Sequence, residues 1–276
     1  MNILCIGDIV GRPGRSAVHQ ALARLKKELK VDCVIANAEN SAGGAGITER
    51  IAKGFFHLGC DVLTLGDHTW DQRDIEAYLD QAEFLIRPAN FPEGTPGRGW
   101  CVKTLANGQK IGVVNVLGRT FMRFAVDCPF RALEKAVAQI RRQTPVIIVD
   151  MHAETTSEKN AIGRFIDGKV SLVFGTHTHV PTADEMILPN GTAYITDVGM
   201  TGPYDSVIGQ DKEAIIRRFL TSRPVTFKVA SGDVKISGVL VNVDPASGRA
   251  VKIQRIQQSV DVSPEEVKED EEKTVS

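Results

Sequence analysis

Apolar positions along the chain keep two rhythms. Short, nearly continuous apolar runs at NILCIG, DCVIAN, DVLTLG, KIGVVNV, PVIIVDM and VSLVFG have the length and β-branched content of buried strands. Between the first two runs, Val18, Leu22, Leu25 and Leu29 recur at helical spacing on a segment otherwise rich in Lys, Arg and Glu. A second helix is predicted from about Thr48, with Ile51, Phe55 and Leu58 on one face, and a third is marked by Phe130, Leu133, Val137 and Ile140. Strands joined through helices imply parallel pairing by crossover connections, and so an α/β protein. After Pro224 the long helical patterns stop. VTFKVA, DVKISGVLVNV and AVKIQRIQQ read as strands joined by the turn signals SGD and DPASG, and are expected to add antiparallel strands to the same domain. Residues 1–260 are read as one domain, and the acidic segment 261–276 as a disordered tail.

Composition narrows the function classes. A chain of 276 residues with 42% hydrophobic content can build a sizeable core. The net charge of −1 and the strand-sized apolar runs exclude a membrane span and the broad basic footprint of a nucleic-acid binder. An anionic substrate must therefore be held locally. The N-terminal MNILCIGD enters a strand at once, without a basic or signal-like apolar leader, so a cytoplasmic location is expected. Cys5, Cys33, Cys60, Cys101 and Cys128 are odd in number, widely spaced and free of any C-x-x-C pair, which predicts reduced, buried thiols.

The polar residues that follow the strands carry the chemistry. Asp8 follows the first run, Glu39 and Asn40 the second, Asp67 and His68 the third, His152 ends PVIIVDMH, and His177 and His179 follow VSLVFG. Ligands in open α/β sheets bind at the carboxyl ends of the strands, so these positions converge by topology. His177 and His179, two residues apart at a strand end, are expected to share one side of it. The other two histidines, His19 and His57, fall within predicted helices and read as structural. Taken singly, Asp8 could cap a turn and Asn40 could supply an Asx turn. Taken together, three carboxylates and several imidazoles with no basic residues beside them require cations between them. Mixed nitrogen and oxygen donors suit manganese, iron or zinc, and the number of candidates suits two ions rather than one.

These residues carry a resemblance. The succession GD, NAEN, GDH, His152 and GTHTH, with RPG, ENSAGG, TSEK and THTHVPTAD around it, resembles the calcineurin-like metallophosphoesterase superfamily and, more narrowly, its YmdB-like bacterial branch, over roughly residues 1–258. The resemblance implies a sandwich of two mixed β-sheets flanked by α-helices, with a dinuclear metal centre at one end. It implies Asp8, Glu39 and His179 around a first metal, with Asn40 close by or ligating. Glu39 would bridge to a second metal held also by Asp67, His152 and His177. His68 would act as general acid, and a hydroxide bridging the metals as nucleophile.

The commoner pattern of the family it resembles is Gly-Asn-His where this chain reads GDH, so position 67 offers a carboxylate in place of a carboxamide. With two divalent ions and a hydroxide, that change leaves a formal charge of about zero instead of about +1. Metal binding is expected to tighten and attraction for phosphate to weaken. The SAGGAG loop after Asn40 is a further candidate for contacting phosphate through backbone N–H groups. The reaction expected from the resemblance is metal-dependent hydrolysis of cyclic nucleotides, 2′,3′-cyclic, 3′,5′-cyclic or both, with iron or manganese favoured as the metal. Two alternatives stay open: a phosphomonoesterase acting on nucleotides or phosphoproteins, and a non-catalytic nucleotide sensor. The expected partner is a small phosphoester, without membrane or general nucleic-acid binding, and self-association is left open.

Overall fold

The computed structural model describes residues 1–262. Apart from Asp261 and Val262, the acidic tail expected at 261–276 lies outside the described residues. The first sheet contains β1 (Asn2–Ile6), β2 (Cys33–Asn37), β3 (Val62–Thr64), β4 (Leu85–Ile86), β11 (Gly202–Pro203), β12 (Val234–Val243) and β13 (Ala250–Ser259). Its order is β11-β12-β1-β2-β3-β4, with β13 also paired to β12. The second contains β5 (Trp100–Thr104), β6 (Lys110–Leu117), β7 (Ile147–His152), β8 (Leu172–Thr176), β9 (Met186–Ile187) and β10 (Ala193–Ile195), in the order β5-β6-β7-β8-β10-β9. Both sheets are mixed: β1, β2 and β3 run parallel and β6, β7 and β8 run parallel, while β12 pairs antiparallel with β1 and β5 pairs antiparallel with β6. The fold is a two-sheet sandwich flanked by helices.

Side-chain alternation builds the layers. In β1, Ile3 and Cys5 face the opposing sheet, where they pack with Val113, Ile148, Leu172 and Phe174, while Leu4 and Ile6 face outward. The outward face is covered by α1 (Gly11–Glu28), α2 (Glu49–His57) and α3 (Ile75–Gln81) through Val18, Leu22, Leu25, Phe55, Ile75 and Leu79. Thr48 caps α2, its hydroxyl accepting from the Ile51 amide. On the second sheet, Val114, Val116, Ile147 and Val149 are covered by α4 (Pro129–Ile140) and α5 (Thr156–Phe165). The remaining helix is α6 (Lys212–Thr221).

One local expectation is corrected. VTFKVA forms no strand: only Val229 makes an isolated bridge, to Gln210, and none of its residues is buried, because no neighbouring strand pairs along its backbone. α5 begins within ETTSEKN, residues 154–160, and is entered from Thr155. The thiols behave as expected, since all five cysteines are free and all but Cys128 are buried. No described helix is long and apolar enough to cross a membrane.

Candidate metal centre

The alternation that builds the inter-sheet core also builds the floor of the site. Continuing each inward-facing register to the carboxyl end of its strand brings Asn37 on β2, Thr64 on β3, Asp150 and His152 on β7 and Thr176 on β8 between the sheets, all buried. Asp150 is the hub. Its Oδ1 accepts from the Thr176 hydroxyl at 2.6 Å, and its Oδ2 accepts from the Thr64 hydroxyl and, at 3.0 Å, from Asn37 Nδ2. Burial pushes the Asp150 carboxyl up to about 6, against the pull of His152 and these three donors. Because the Thr176 hydroxyl donates to Asp150, it can only accept from His152 Nδ1, 2.9 Å away. The His152 proton is thereby fixed on Nδ1, and Nε2 is turned toward the acidic residues above.

Those residues sit just past the strand ends. Glu39, Asp67, His152 and His177 each offer a ligand atom, and the four atoms lie within 4.8 Å of one another. His152 Nε2 is 2.9 Å from Glu39 Oε1 and 3.1 Å from Asp67 Oδ1, and His177 Nδ1 is 3.3 Å from the same Asp67 oxygen. Asp8, Asn40 and His179 form the adjoining side: Asn40 Nδ2 is 3.1 Å from Glu39 Oε1 and 3.2 Å from His179 Nε2, which stands 4.0 Å from Asp8 Oδ1. All seven candidate ligands thus meet across the gap between the two sheets, while His19 and His57 lie exposed on α1 and α2. Gly66 makes the packing possible. A Cβ there would stand 2.3 Å from Glu39 Oε2 and 2.4 Å from the His152 ring.

The paired histidines do not share a strand face. β8 ends at Thr176, and His177 and His179 follow it with φ of +94° and +65°, so strand alternation does not aim them. Instead the chain coils back. His177 turns toward Asp67 and His152, His179 toward Asn40, and the His177 amide donates to the Asp8 carboxylate at 3.1 Å. Thr178 between them is held by Asp197, whose Oδ2 accepts from its hydroxyl at 2.7 Å and from its amide at 3.3 Å.

The donor set fits a divalent cation. Among the described residues, the ion pairs of buried Asp8, Glu39 and Asp67 are all with histidines. Each candidate imidazole is anchored through its other nitrogen: His152 on Thr176, His177 on Glu154 at 3.1 Å, and His179 on the Ile208 carbonyl at 2.9 Å. That is the usual support of metal-binding histidines. Burial opposes charge on His152, but Glu39, Asp67 and Asp8 outweigh it and raise its pKa. Burial likewise opposes charge on Glu39 and Asp67, yet the imidazoles beside them lower both. A cation bound at His152 Nε2 would displace the second, Nε2-bound proton of the imidazolium and leave the Nδ1 proton donated to Thr176.

His68 stands beside this group, its amide donating to Glu39 Oε2 at 3.0 Å and its side chain 31% exposed. Its Nδ1 is 2.7 Å from Asp71 Oδ2, and Asp71 is gripped by Arg123 through bonds of 2.8 and 3.0 Å. Burial works against the imidazolium, but Glu39, Asp71 and Asp67 outweigh it and raise the His68 pKa. Sequence reasoning missed Asp71, Arg123, Glu154, Asp150 and Asp197. Only Asp150 carried a usable signal, an acid two residues before His152 inside an apolar strand, and so on the same face.

The YmdB-like protein family matches residues 4–256, nearly the whole described chain. The chain belongs to that family. It is 50% identical over 256 residues to a 2′,3′-cyclic-nucleotide 2′-phosphodiesterase of Bacillus subtilis, covering 93% of this chain and 96% of that one. Among solved structures, a phosphatase of Mycoplasma pneumoniae superposes with a TM-score of 0.88 at 36% identity, covering 100% of this chain and 99% of its own. A hypothetical protein of Thermus thermophilus superposes with a TM-score of 0.87 at 40% identity, covering 94% and 99% respectively. The chain has the metallophosphoesterase sandwich, and it is a phosphoric ester hydrolase.

Proposed function

We propose that the chain is a two-metal phosphodiesterase that opens cyclic nucleotides, with the 2′,3′-cyclic forms as the first substrates to test. The observation that carries this reading is the meeting of Glu39, Asp67, His152 and His177 within 4.8 Å, beside a histidine that is not needed as a ligand. In it, Asp67, His152 and His177 would hold one cation and Asp8, Asn40 and His179 the other, with Glu39 available to both. Such a pair of cations supplies an activated water and offsets the charge that develops on the phosphoryl oxygens. The chain's own contribution is placement and proton delivery. Asp150, Thr176, Glu154 and the Ile208 carbonyl keep the ligating nitrogens aimed and correctly protonated. Asp71 holds the proton-bearing Nδ1 of His68, leaving Nε2 to deliver a proton to the departing alkoxide. The 50% identity to a 2′,3′-cyclic-nucleotide phosphodiesterase supports the substrate class.

The test combines metal analysis of the purified protein with rates on 2′,3′-cyclic AMP, 3′,5′-cyclic AMP and the corresponding monoesters. Two transition-metal equivalents and preferential opening of the cyclic diesters are expected, with activity abolished and the fold kept in Glu39→Gln. Faster turnover of the monoesters would favour the phosphomonoesterase reading, and metal-loaded protein inactive on every ester would favour the sensor.

A further inference from the structure

Between β6 and α4, residues 118–128 leave the carboxyl end of β6, where Leu117 is paired with His152. The loop is pinned to both sides of the site. The amides of Arg119 and Thr120 donate to the Glu158 carboxylate at 3.0 to 3.2 Å. Met122 Sδ accepts from the amide of Glu154, whose carboxylate contacts His177. Arg123 grips Asp71, the partner of His68. Phe124 packs edge-on against Phe91, which packs edge-on against Trp70, with ring centroids 5.7 and 5.5 Å apart. The loop therefore runs from the His177 side of the mouth to the His68 side.

Phe121 is the exception within it. Its neighbours on both sides are tied down, yet Phe121 is 85% exposed, and its backbone sits at φ +61°. A bulky residue pays strain to hold that conformation. An isolated surface phenylalanine is ordinary, but one held out by a strained backbone on a loop fixed at both ends is a preorganised aromatic surface.

We propose that Phe121 is the platform on which the nucleobase of the substrate stacks. This rests on the cyclic-nucleotide reading above and gives it a specificity-determining residue. In the opening of a 2′,3′-cyclic nucleotide the departing oxygen belongs to the ribose, so the nucleoside lies on the side where the proton is delivered. That side is His68, and the loop carrying Phe121 reaches it through Arg123 and Asp71. Every base has a π-face, so such a platform accepts purines and pyrimidines alike, with purines favoured by their larger area.

The experiment compares 2′,3′-cyclic AMP with glycerol 1,2-cyclic phosphate, which has the same five-membered cyclic diester and no base. Phe121→Gly removes the ring in a residue that accepts the left-handed backbone, and Phe121→Trp keeps an aromatic face. In Phe121→Gly, KM for the nucleotide is expected to rise about tenfold with kcat within about twofold, as a lost stacking contact predicts. KM for glycerol 1,2-cyclic phosphate should stay at the wild-type value, and Phe121→Trp should keep both KM values. An unchanged nucleotide KM in Phe121→Gly, or an equal rise on both diesters, would overturn the platform. A change in oligomeric mass by light scattering with KM unchanged would reassign the ring to contact between copies. Wild-type protein that opens neither diester would overturn the reading of the reaction, and the platform with it.

Discussion

Lys159 Nζ donates to Asp197 Oδ2 across 2.7 Å, and both side chains are only 1% exposed. The same Asp197 oxygen accepts from Thr178, and Oδ1 accepts from the Gly199 amide at 2.8 Å. One buried ion pair thus braces the residue between His177 and His179, whose left-handed backbones carry strain that something else must hold. The close packing extends to Gly175, where a Cβ would stand 2.9 Å from Lys159 Cδ. Lys159 itself comes from α5, the helix that begins within ETTSEKN.

Lys159→Met is expected to leave a buried carboxylate uncompensated, at a cost of about 3 to 5 kcal/mol. In a protein of this size that is on the order of 10 °C in Tm. Metal affinity should fall as well, because the His-Thr-His turn loses its brace. Adding Asp197→Asn to Lys159→Met should recover part of the Tm without restoring metal affinity. Calorimetry and metal titration of the single and double variants separate the two effects.

Gly66→Ala is expected to fold and to lose metal. The backbone at Gly66 is not in the left-handed region, so alanine is allowed conformationally, but its methyl would enter the space between Glu39 and His152. Moving these side chains from 2.3–2.4 Å out to ordinary contact, a shift of roughly 1 Å, should weaken metal binding by roughly 10- to 100-fold. Circular dichroism like that of the wild type with normal metal stoichiometry would show that the site tolerates the methyl.

The parallel strands and the residues at their ends were legible because each rests on a local rule. Apolar runs gave β1, β2, β3, β6, β7 and β8, and polar residues just after them gave Asp8, Glu39, Asp67 and His152. What escaped depends on long-range contacts. β4, β9 and β11 are only two residues long and exist because a neighbour pairs with them, so no periodicity announces them. VTFKVA alternates like a strand and lacks that neighbour. The supports of the site are invisible for the same reason: Asp71 and Arg123 are 52 residues apart, and Lys159 and Asp197 are 38 apart. The His-Thr-His turn was aimed correctly at one site by a wrong local argument, since a left-handed coil and not a strand face brings the rings together.

Asp150 predicts a pH dependence of stability. Burial raises its carboxyl from 3.8 to about 6, so between these values the folded protein holds a proton that the unfolded chain has released. The contribution is fully present below about pH 4 and lost as pH rises through about 6. Asn at this position cannot titrate. The stability of Asp150→Asn relative to wild type should therefore improve between pH 4 and 7, by on the order of 3 kcal/mol. Urea unfolding of both proteins across that range measures the difference, and a flat difference would place the Asp150 carboxyl outside the window.

His68 gives the sharpest test of the chemistry. If its Nε2 delivers the proton, His68→Ala should slow esters with poor leaving groups, such as nucleoside alkoxides, by on the order of a hundredfold or more. Nitrophenyl esters should suffer far less, because phenolate departs without a proton and the candidate ligands Glu39, Asp67, His152 and His177 remain in place. A His68 that only supports Glu39 through its amide predicts the opposite pattern, with both ester classes slowed alike. Asp71 supplies a second readout. Its carboxylate is one of the groups that raise the His68 pKa against burial, so Asp71→Asn should lower that pKa. The acid form would then be lost at lower pH, and the alkaline limb of the kcat/KM profile should move toward acid for alkoxide esters only. A nitrophenyl profile that shifts equally would tie the limb to the metal ligands instead of His68. Rates on both ester classes, measured against pH with metal content checked at each point, decide between the two.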